Sequence, residues 1–370
     1  MPGAPFEASD KTEIDSLIAN GVFEFVQFDP KEHAGERIFN SRLVNEVKGK
    51  TTTSPYEKSR LVIQAYNDEG KQTVLTQSPT IQRASQRLLI AFAPTLLRKP
   101  RVKLWIRDII QAYIQSTTML SRQILSRLPK QLRHVYPVNT IMIVRKPLYG
   151  VPEAGNHWWA TYHKHHVEKL GMEVSTFDPC LMITTTSKEL FGLVGMQTDD
   201  TLGLSTEEFA ILEDEQLRKA NLQAKPKEVL LPTNPLAFNG CILSQEDDVL
   251  YLRQKNQGKK IKLIDLKSNN RKKEYMEQRA RGAYIATICQ PEASFDLSVA
   301  AQQQDPTDDD VQALNKRLQW QLDHQDRGLS MVALDLATAK VFVFVDGSFA
   351  NNKDLSSQIG YKLILTNKTT

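Results

Sequence analysis

The chain has 370 residues, 41% of them hydrophobic and 24% charged, and its formal net charge is +4. Two or three domains with apolar cores fit in this length, and the composition is ordinary for a globular protein. No stretch approaches the roughly 18 uncharged apolar residues that cross a bilayer, and the N-terminus lacks the basic and apolar parts of a signal peptide. Cys180, Cys241 and Cys289 match no zinc-site spacing, and their odd number argues against a disulfide framework. We therefore expect an intracellular protein, in cytoplasm or nucleus, with no membrane partner.

The positive charge is spread unevenly along the chain. Residues 101–150 hold nine Lys or Arg against one acid, Asp108, and residues 251–281 hold eleven against three. Two basic stretches in an otherwise balanced chain indicate a polyanionic partner, most simply nucleic acid. The alternative is a solvated helix face whose counter-charges come from elsewhere in the fold.

The first half of the chain mixes strand and helix patterns. A short helix is expected over 11–18, capped by Ser9 or Asp10. Further along, the pattern predicts strands over 22–31 and 58–67, a helix over 81–97, a strand over 102–110, and a turn into helix over 109–116.

The second half continues this irregular alternation. An amphipathic helix over 153–170 should end at Gly171, and Thr307 is a candidate N-cap for a helix that begins at 308. Between these helices and beyond them, the pattern predicts strands over 180–184 and 190–196, a helix over 206–220, a proline-marked boundary at 226–235, and a strand over 341–345. Because no βαβ unit repeats, the sequence favours an α+β fold.

One acidic pair lies within an apolar region. Asp199 and Asp200 stand between the apolar runs 190–196 and 202–204, at the expected tip of a hairpin. Adjacent like charges repel each other, and a divalent cation with oxygen ligands would remove that repulsion. Asp108, the single acid of its basic stretch, closes another strand and could supply a third ligand for a two-metal site. The alternatives are an exposed acidic turn and a salt-bridged structural aspartate.

A histidine-rich run also invites a metal interpretation. Residues 163–166 read HKHH, but no cysteine or acid lies at ligand spacing. An exposed helix surface is the preferred interpretation.

Five motifs in order across residues 58–241 resemble the reverse transcriptases of copia-type LTR retrotransposons. They are 58–62 (KSRLV), like a fingers strand; 108–113 (DIIQAY), like the first palm motif; 146–158 (KPLYGVPEAGNHW), like the leucine-tyrosine-glycine segment; 198–200 (TDD), at the aromatic-x-Asp-Asp hairpin; and 237–241 (AFNGC), at the primer-grip turn. Downstream, segments 283–301 and 345–365 resemble the fungal branch of the same pol polyproteins.

The resemblance implies a right-hand fold and two-metal nucleotidyl transfer. Asp108, Asp199 and Asp200 would be the catalytic ligands of two Mg²⁺ ions, with Mn²⁺ as a substitute, and the primer 3′-hydroxyl would attack the α-phosphate of a dNTP. Lys58 and Arg60 would reach the triphosphate. Tyr113 would lie under the sugar and exclude a 2′-hydroxyl, although a core aromatic is the simpler interpretation of that residue taken alone. An RNA template and a DNA primer are the implied partners, and the oligomeric state is left open.

The resemblance also divides the chain into segments. Residues 1–20 would be a polar N-terminal lead, 21–250 the fingers and the palm with its antiparallel sheet, 251–335 a basic thumb or connection, and 336–370 a truncated RNase H-like segment. Asp346 would be a vestigial first RNase H ligand. Because only one further aspartate follows it, at position 354, no RNase H activity is expected, and the chain is interpreted as a fragment of a pol polyprotein.

Two departures from the family pattern bear on activity. Gln197 stands where an aromatic residue is usual, and Glu153 stands where a glutamine is usual. Glu153 would oppose triphosphate binding unless it is protonated or paired. Two functions therefore remain: an RNA-directed DNA polymerase, or a catalytically decayed retroelement remnant that only binds nucleic acid. An unrelated host protein would leave the five ordered motifs unexplained.

Overall fold

The computed structural model describes residues 4–50, 54–185, 189–350, 352 and 355–367. Within those ranges it has seven α-helices: α1 (Glu7–Ala19), α2 (Arg83–Leu96), α3 (Ala154–Leu170), α4 (Glu207–Lys219), α5 (Arg271–Ile288), α6 (Ser294–Ala301) and α7 (Asp308–Asp323). The strands are β1 (Phe23–Gln27), β2 (Ile38–Phe39), β3 (Ser41–Lys48), β4 (Tyr56–Ile63), β5 (Val102–Asp108), β6 (Ile124–Arg127), β7 (Thr140–Val144), β8 (Met172–Val174), β9 (Leu181–Thr184), β10 (Gly192–Gln197), β11 (Asp200–Thr206), β12 (Glu228–Val229), β13 (Leu236–Phe238), β14 (Cys241–Glu246), β15 (Val249–Gln254), β16 (Leu329–Met331), β17 (Ala339–Ser348) and β18 (Gln358–Asn367). The fold is α+β.

The predicted end of α3 at Gly171 and the predicted N-cap of α7 at Thr307 are both confirmed. Gly171 follows α3 with φ of 62°, in the left-handed conformation that closes a helix. Thr307 caps α7 in a reciprocal capping box with Asp310. No helix among the described residues combines the length and apolarity of a membrane span.

Two local expectations are wrong. Helix α1 begins after Phe6 rather than at Ser9 or Asp10, and Asp10 is buried instead, where its carboxylate accepts a 2.6 Å hydrogen bond from the Ser59 hydroxyl. The stretch 109–116 does not become an α-helix and forms only a 3-10 turn over Ala112–Gln115. The contact of Asp10 with Ser59 and the left-handed backbone of Gln111, with φ of 47°, override local propensity.

The chain divides into two compact units. The first comprises Met1–Thr80, Asp108–Thr186 and Leu212–Lys225, and the second comprises Ile81–Arg107, Ser187–Ile211 and Pro226–Thr370. The four-part division expected from the sequence remains a prediction.

The first unit is built around one small sheet and two hairpins. The sheet has the order β1-β7-β6-β2, in which only the β2–β6 pair is parallel. Strands β3 and β4 form an antiparallel hairpin, as do β8 and β9. Helix α1, the inner face of β4 and the sheet enclose one apolar core that includes Leu17, Leu61, Ile63, Met142 and Leu148. Packing against this core fixes which face of β4 points outward.

The second unit contains three sheets. Four strands follow the order β12-β5-β11-β10, four follow β13-β14-β15-β16, and β17 pairs with β18. The hairpin β10–β11 is antiparallel, and its last pair is Gln197 with Asp200. Gly203 on β11 faces the buried indole of Trp105 on β5 so closely that a Cβ would lie 2.2 Å from the ring. The Trp105 indole N–H also donates a 2.9 Å hydrogen bond to the Ser205 hydroxyl, and together these contacts fix β11 against β5.

Candidate functional site

One outward face of the first unit carries a basic and aromatic cluster. Along β4 the residues alternate, so that Ser59, Leu61 and Ile63 are buried while Lys58 and Arg60 lie on the other face. The Arg60 guanidinium lies 5.8 Å from the centroid of the Tyr149 ring, a cation–π distance. The fold therefore keeps both cations of the KSRLV segment out of the core.

Tyr149 joins this cluster to the DIIQAY segment. Its ring centroid lies 4.9 Å from that of Tyr113, with the rings tilted by 57°. Tyr149 thus contacts both Arg60 and Tyr113, and the half-buried Tyr113 also packs against the core of the first unit. The structure gives Tyr113 an aromatic neighbour beside a cation, which suits a platform for a sugar or base.

A close backbone contact positions Tyr149. Its carbonyl accepts a 2.9 Å hydrogen bond from the Ile63 N–H. Gly150 follows with φ of +86°, and a Cβ there would lie 1.9 Å from the Ile63 carbonyl oxygen. The leucine-tyrosine-glycine segment therefore needs glycine for two independent reasons, conformation and space.

The two cations of β4 have an acidic neighbour. Lys58 stands opposite Glu46 in the β3–β4 hairpin, and an Arg60 nitrogen lies 3.8 Å from the Glu46 carboxylate. A hydrogen bond from Lys48 is the main cause that lowers the pKa of Glu46, and the nearby charges of Lys48 and Arg60 act in the same direction. Because such solvent-exposed pairs are weak, the Arg60 side chain can exchange this carboxylate for a phosphate at little cost.

Glu153 does not present a free charge. The Arg122 guanidinium donates two hydrogen bonds of 2.8 Å to the Glu153 carboxylate and makes a 2.5 Å ion pair with Asp68. All three side chains are largely buried, and the pKa of Arg122 is raised, first by its hydrogen bond to Glu153. The departure from glutamine is therefore compensated by a partner, so Glu153 need not oppose a bound triphosphate.

Asp108 is held at the end of β5 by a lysine. Its backbone carbonyl accepts a 2.9 Å hydrogen bond from the Lys225 N–H, and its carboxylate forms an ion pair with the Lys225 ammonium group. The next residues continue the contact, since Ile109 bridges Ala224. A cation thus already neutralises this carboxylate.

The acidic pair lies at a strained turn in the second unit. Thr198 and Asp199 form a two-residue connection between Gln197 and Asp200, and Thr198 has φ of 56°. Positive φ is unusual for a β-branched residue, and such strain concentrates at functional sites. Asp200 is the first residue of β11, whose neighbour in the sheet is β5. The expected hairpin tip is confirmed.

Gln197 has a definite partner. Its side-chain oxygen accepts a 3.1 Å hydrogen bond from the Asn239 amide, which also donates a 3.0 Å bond to Gln86. The Asn239 carbonyl in turn accepts a 2.9 Å bond from Arg83. A phenylalanine at position 197 has no acceptor for this bond. The polar replacement therefore ties the acidic hairpin to the AFNGC turn.

The basic stretch 251–281 is only partly neutralised. Four of its eleven cations form ion pairs with carboxylates, namely Arg253, Arg271, Lys272 and Arg281. The other seven have no carboxylate within ion-pair distance in the described part of the chain, so β15, α5 and the loop between them carry net positive charge.

The histidine run is not an exposed helix surface. His165 and His166 are buried on α3, where the His166 ring nitrogen Nδ1 hydrogen-bonds the Tyr162 carbonyl oxygen at 2.9 Å. Burial is the main cause that lowers the pKa of His165 to about 4, with smaller contributions from His166 and Lys169. These rings pack together with the buried Trp158 and Tyr162.

Asp346 lies on β17 in a two-stranded hairpin, where it is exposed opposite Gly360. Within the described ranges no three His, Cys, Asp or Glu side chains are placed to hold a metal ion. Asp108 belongs to the first unit, and Asp199 and Asp200 belong to the second.

Comparison with known proteins identifies the fold. A foamy viral protease-reverse transcriptase in complex with dsDNA matches with a TM-score of 0.53 and 13% identity, over 98% of this chain and 66% of that chain. The chain has a reverse transcriptase-like fold. Telomerase from Candida albicans, in complex with a TWJ fragment of telomeric RNA, matches with a TM-score of 0.39 and 8% identity over 83% of this chain. Apo telomerase from Candida tropicalis matches with a TM-score of 0.37 and 9% identity over 86% of this chain. The match spans slightly less than two thirds of each of these three chains, namely 66%, 65% and 64%. No protein-family model and no curated protein sequence matches it.

Sequence reasoning missed three residues of the candidate site. Tyr149 was within a recognised segment, but its contact with Arg60 depends on how 148–150 folds back onto β4. Arg122 hydrogen-bonds Glu153, 31 residues away in the sequence, and Asn239 hydrogen-bonds Gln197, 42 residues away. No local pattern marks such partners.

Proposed function

We propose that this chain is an RNA-directed DNA polymerase of a copia-type retroelement. It joins a dNTP to the 3′-hydroxyl of a DNA primer on an RNA template. The observation that carries the proposal is the β10–β11 hairpin, whose strained turn presents Asp199 and Asp200 at the start of β11.

The donor chemistry of the three aspartates fits magnesium. Asp108, Asp199 and Asp200 offer only carboxylate oxygens, the ligands that hard cations prefer, and Mn²⁺ accepts the same set. These residues would hold two ions, which would supply Lewis-acid chemistry for the attacking hydroxyl and for the leaving pyrophosphate. The carboxylates themselves provide position and negative charge, and Lys225 must release Asp108 for this role.

The cluster on β4 binds the nucleotide. Arg60 gives its guanidinium to the triphosphate as a bidentate donor, and Lys58 adds a second positive charge. Tyr113, supported by Tyr149, lies under the sugar and excludes a 2′-hydroxyl. Positioning and charge neutralisation then account for most of the catalysis.

The uncompensated cations of 251–281 hold the template and primer. They bind the phosphate backbone without reading sequence, so the affinity should fall steeply with salt. The dsDNA bound by the foamy viral enzyme supports a nucleic-acid partner for this fold.

A second candidate function is a nucleic-acid-binding remnant without turnover. One observation favours it: the Lys225 ammonium group already neutralises Asp108, as a metal ion would. In that case the basic surface persists while the aspartates serve structure alone.

Primer extension with magnesium on poly-rA/oligo-dT distinguishes the two. The polymerase proposal predicts incorporation by the wild type and a loss of at least roughly a hundredfold in Asp199→Asn, because several kcal/mol of transition-state stabilisation are removed. The chain supplies a matched control, Asp247→Asn. Asp247 and Asp248 form another two-residue turn, between β14 and β15, in which Asp247 has φ of 51°. That control should retain full activity.

Two outcomes would contradict the polymerase proposal. Incorporation that survives Asp199→Asn would exclude the metal-ligand role. Absence of incorporation in the wild type, with RNA binding that weakens as salt rises, would favour the remnant. Binding is measured by fluorescence anisotropy of a labelled RNA between 50 mM and 200 mM salt.

A further inference from the structure

The hairpin β17–β18 exposes apolar side chains on both faces. Val341, Val343 and Val345 share one face with Leu363 and Tyr361 of β18, and Phe342 and Phe344 lie on the other. Val343 is 57% exposed and Tyr361 74%. Exposed apolar area of this extent on a strand pair usually marks an interaction surface.

The outer edge of β17 is open. Among the described strands β17 pairs only with β18, so its other edge presents unpaired N–H and C=O groups. Natural edge strands are usually short, or interrupted by proline or by an inward charge. Strand β17 is ten residues long, contains no proline, and is uncharged from Val341 to Val345. Nothing in its sequence prevents another strand from pairing with it.

The sequence of β17 is complementary to itself. Residues 340–346 read KVFVFVD, with Lys340 and Asp346 each three positions from Val343. In an antiparallel pair of two such strands centred on Val343, Lys340 of one copy stands opposite Asp346 of the other, twice. The same register places Phe342 opposite Phe344. A shift of the centre by one residue to either side leaves both charges without an opposite partner, so charge selects one register.

We infer that β17 pairs with β17 of a second copy of this chain, antiparallel and centred on Val343. The product is a four-stranded sheet with the order β18-β17-β17-β18 across a twofold axis. Such an axis requires one self-complementary surface, which the KVFVFVD segment provides. Because directly opposite residues lie on the same face, the valines of both copies form one continuous apolar surface. This inference is independent of the proposed polymerase activity.

Sedimentation velocity of the full chain over a range of concentrations tests the interface. Val343→Lys places two ammonium groups opposite each other at the centre and should abolish the dimer. The control is Leu363→Lys, which changes the residue directly across from Val343, at similar exposure, on the strand away from the edge. That variant should still dimerise. Both positions are exposed, so neither substitution threatens folding.

Charge exchange tests the register. Lys340→Asp puts like charges opposite each other at two places and should weaken the dimer roughly tenfold or more. The double variant Lys340→Asp with Asp346→Lys should restore wild-type association. Oxidation of Val343→Cys should give a covalent dimer, whereas Val341→Cys should not, because the two copies of residue 341 would be separated by about 13 Å along the strands.

Three outcomes overturn the inference. The first is a wild-type chain that stays monomeric at every concentration. The second is a dimer that Leu363→Lys disrupts as strongly as Val343→Lys, which would indicate face-to-face contact. The third is a double charge variant as weak as Lys340→Asp alone.

Discussion

Replacing Arg122 by alanine should destabilise the first unit severely. The substitution removes two 2.8 Å hydrogen bonds to Glu153 and the ion pair with Asp68. Only 3% of the Glu153 side chain and 6% of the Asp68 side chain are exposed, so two neighbouring carboxylates would lose their counter-charge while shielded from water. Breaking a buried ion pair in this way costs about 3–5 kcal/mol. That is a large part of the roughly 5–15 kcal/mol that holds a domain folded.

Urea unfolding followed by circular dichroism and tryptophan fluorescence measures the effect. With a slope of about 2 kcal/mol per M, the midpoint should fall by roughly 1.5–2.5 M. Trp158 and Trp159 report on the first unit, because both lie on α3. The matched control is Arg145→Ala, which breaks an ion pair with Glu24 whose two side chains are about half exposed. That change should cost less than about 1 kcal/mol.

The result that would refute this reasoning is equal destabilisation by the two arginine variants. A double-mutant cycle with Glu153→Gln then checks the source of the cost. If the carboxylate is the cause, adding Glu153→Gln to Arg122→Ala should recover part of the lost stability. No recovery would mean that lost packing, rather than uncompensated charge, dominates.

Two further predictions concern stability. Gly150→Ala should lower the free energy of unfolding by about 3 kcal/mol or more, because the new methyl group would overlap the Ile63 carbonyl oxygen. The control Gly21→Ala, which has open space around it, should lower the free energy of unfolding by about 1 kcal/mol. Equal losses in the two variants would exclude the steric argument. Burial lowers the pKa of His165 to about 4 from its ordinary 6.5, so the unfolded chain binds more protons between these values and stability should fall by about 2 kcal/mol as pH drops from 6.5 to 4. In His165→Gln, the free energy of urea unfolding should depend less on pH between 6.5 and 4. His134→Gln is the control, because His134 is exposed. An equal flattening in the control would contradict the role of His165 in this pH dependence.

The sequence predicted elements whose ends have local causes. Gly171 and Thr307 end and begin helices through groups within a few residues, so their signals survive without knowledge of the fold. The hairpin tip at Asp199 was predictable for the same reason, since a polar turn divides two apolar runs.

The features that the sequence did not predict depend on tertiary packing and on contacts between residues far apart in the chain. Asp10 looks like a helix cap, but the hydroxyl of Ser59, distant in sequence, draws it inward. His165 and His166 look like surface residues until α3 packs against its neighbours. Gln197 accepts its hydrogen bond from Asn239, which lies 42 residues further along the chain. For Asp10 and Gln197 a side chain far along the chain supplies the partner, and a single sequence carries no record of that pairing.

Because the Asp108 carboxylate is paired with the Lys225 ammonium group, any other cation must compete with Lys225 for it. Any cation that binds Asp108 must displace the ammonium group, and the same lysine anchors the segment 223–225 to the end of β5. Cation binding and the attachment of that segment are therefore reciprocally coupled: each weakens the other by the same free energy. Added Mg²⁺ should accelerate amide hydrogen exchange at 223–225, and Lys225→Met should raise the affinity for the metal.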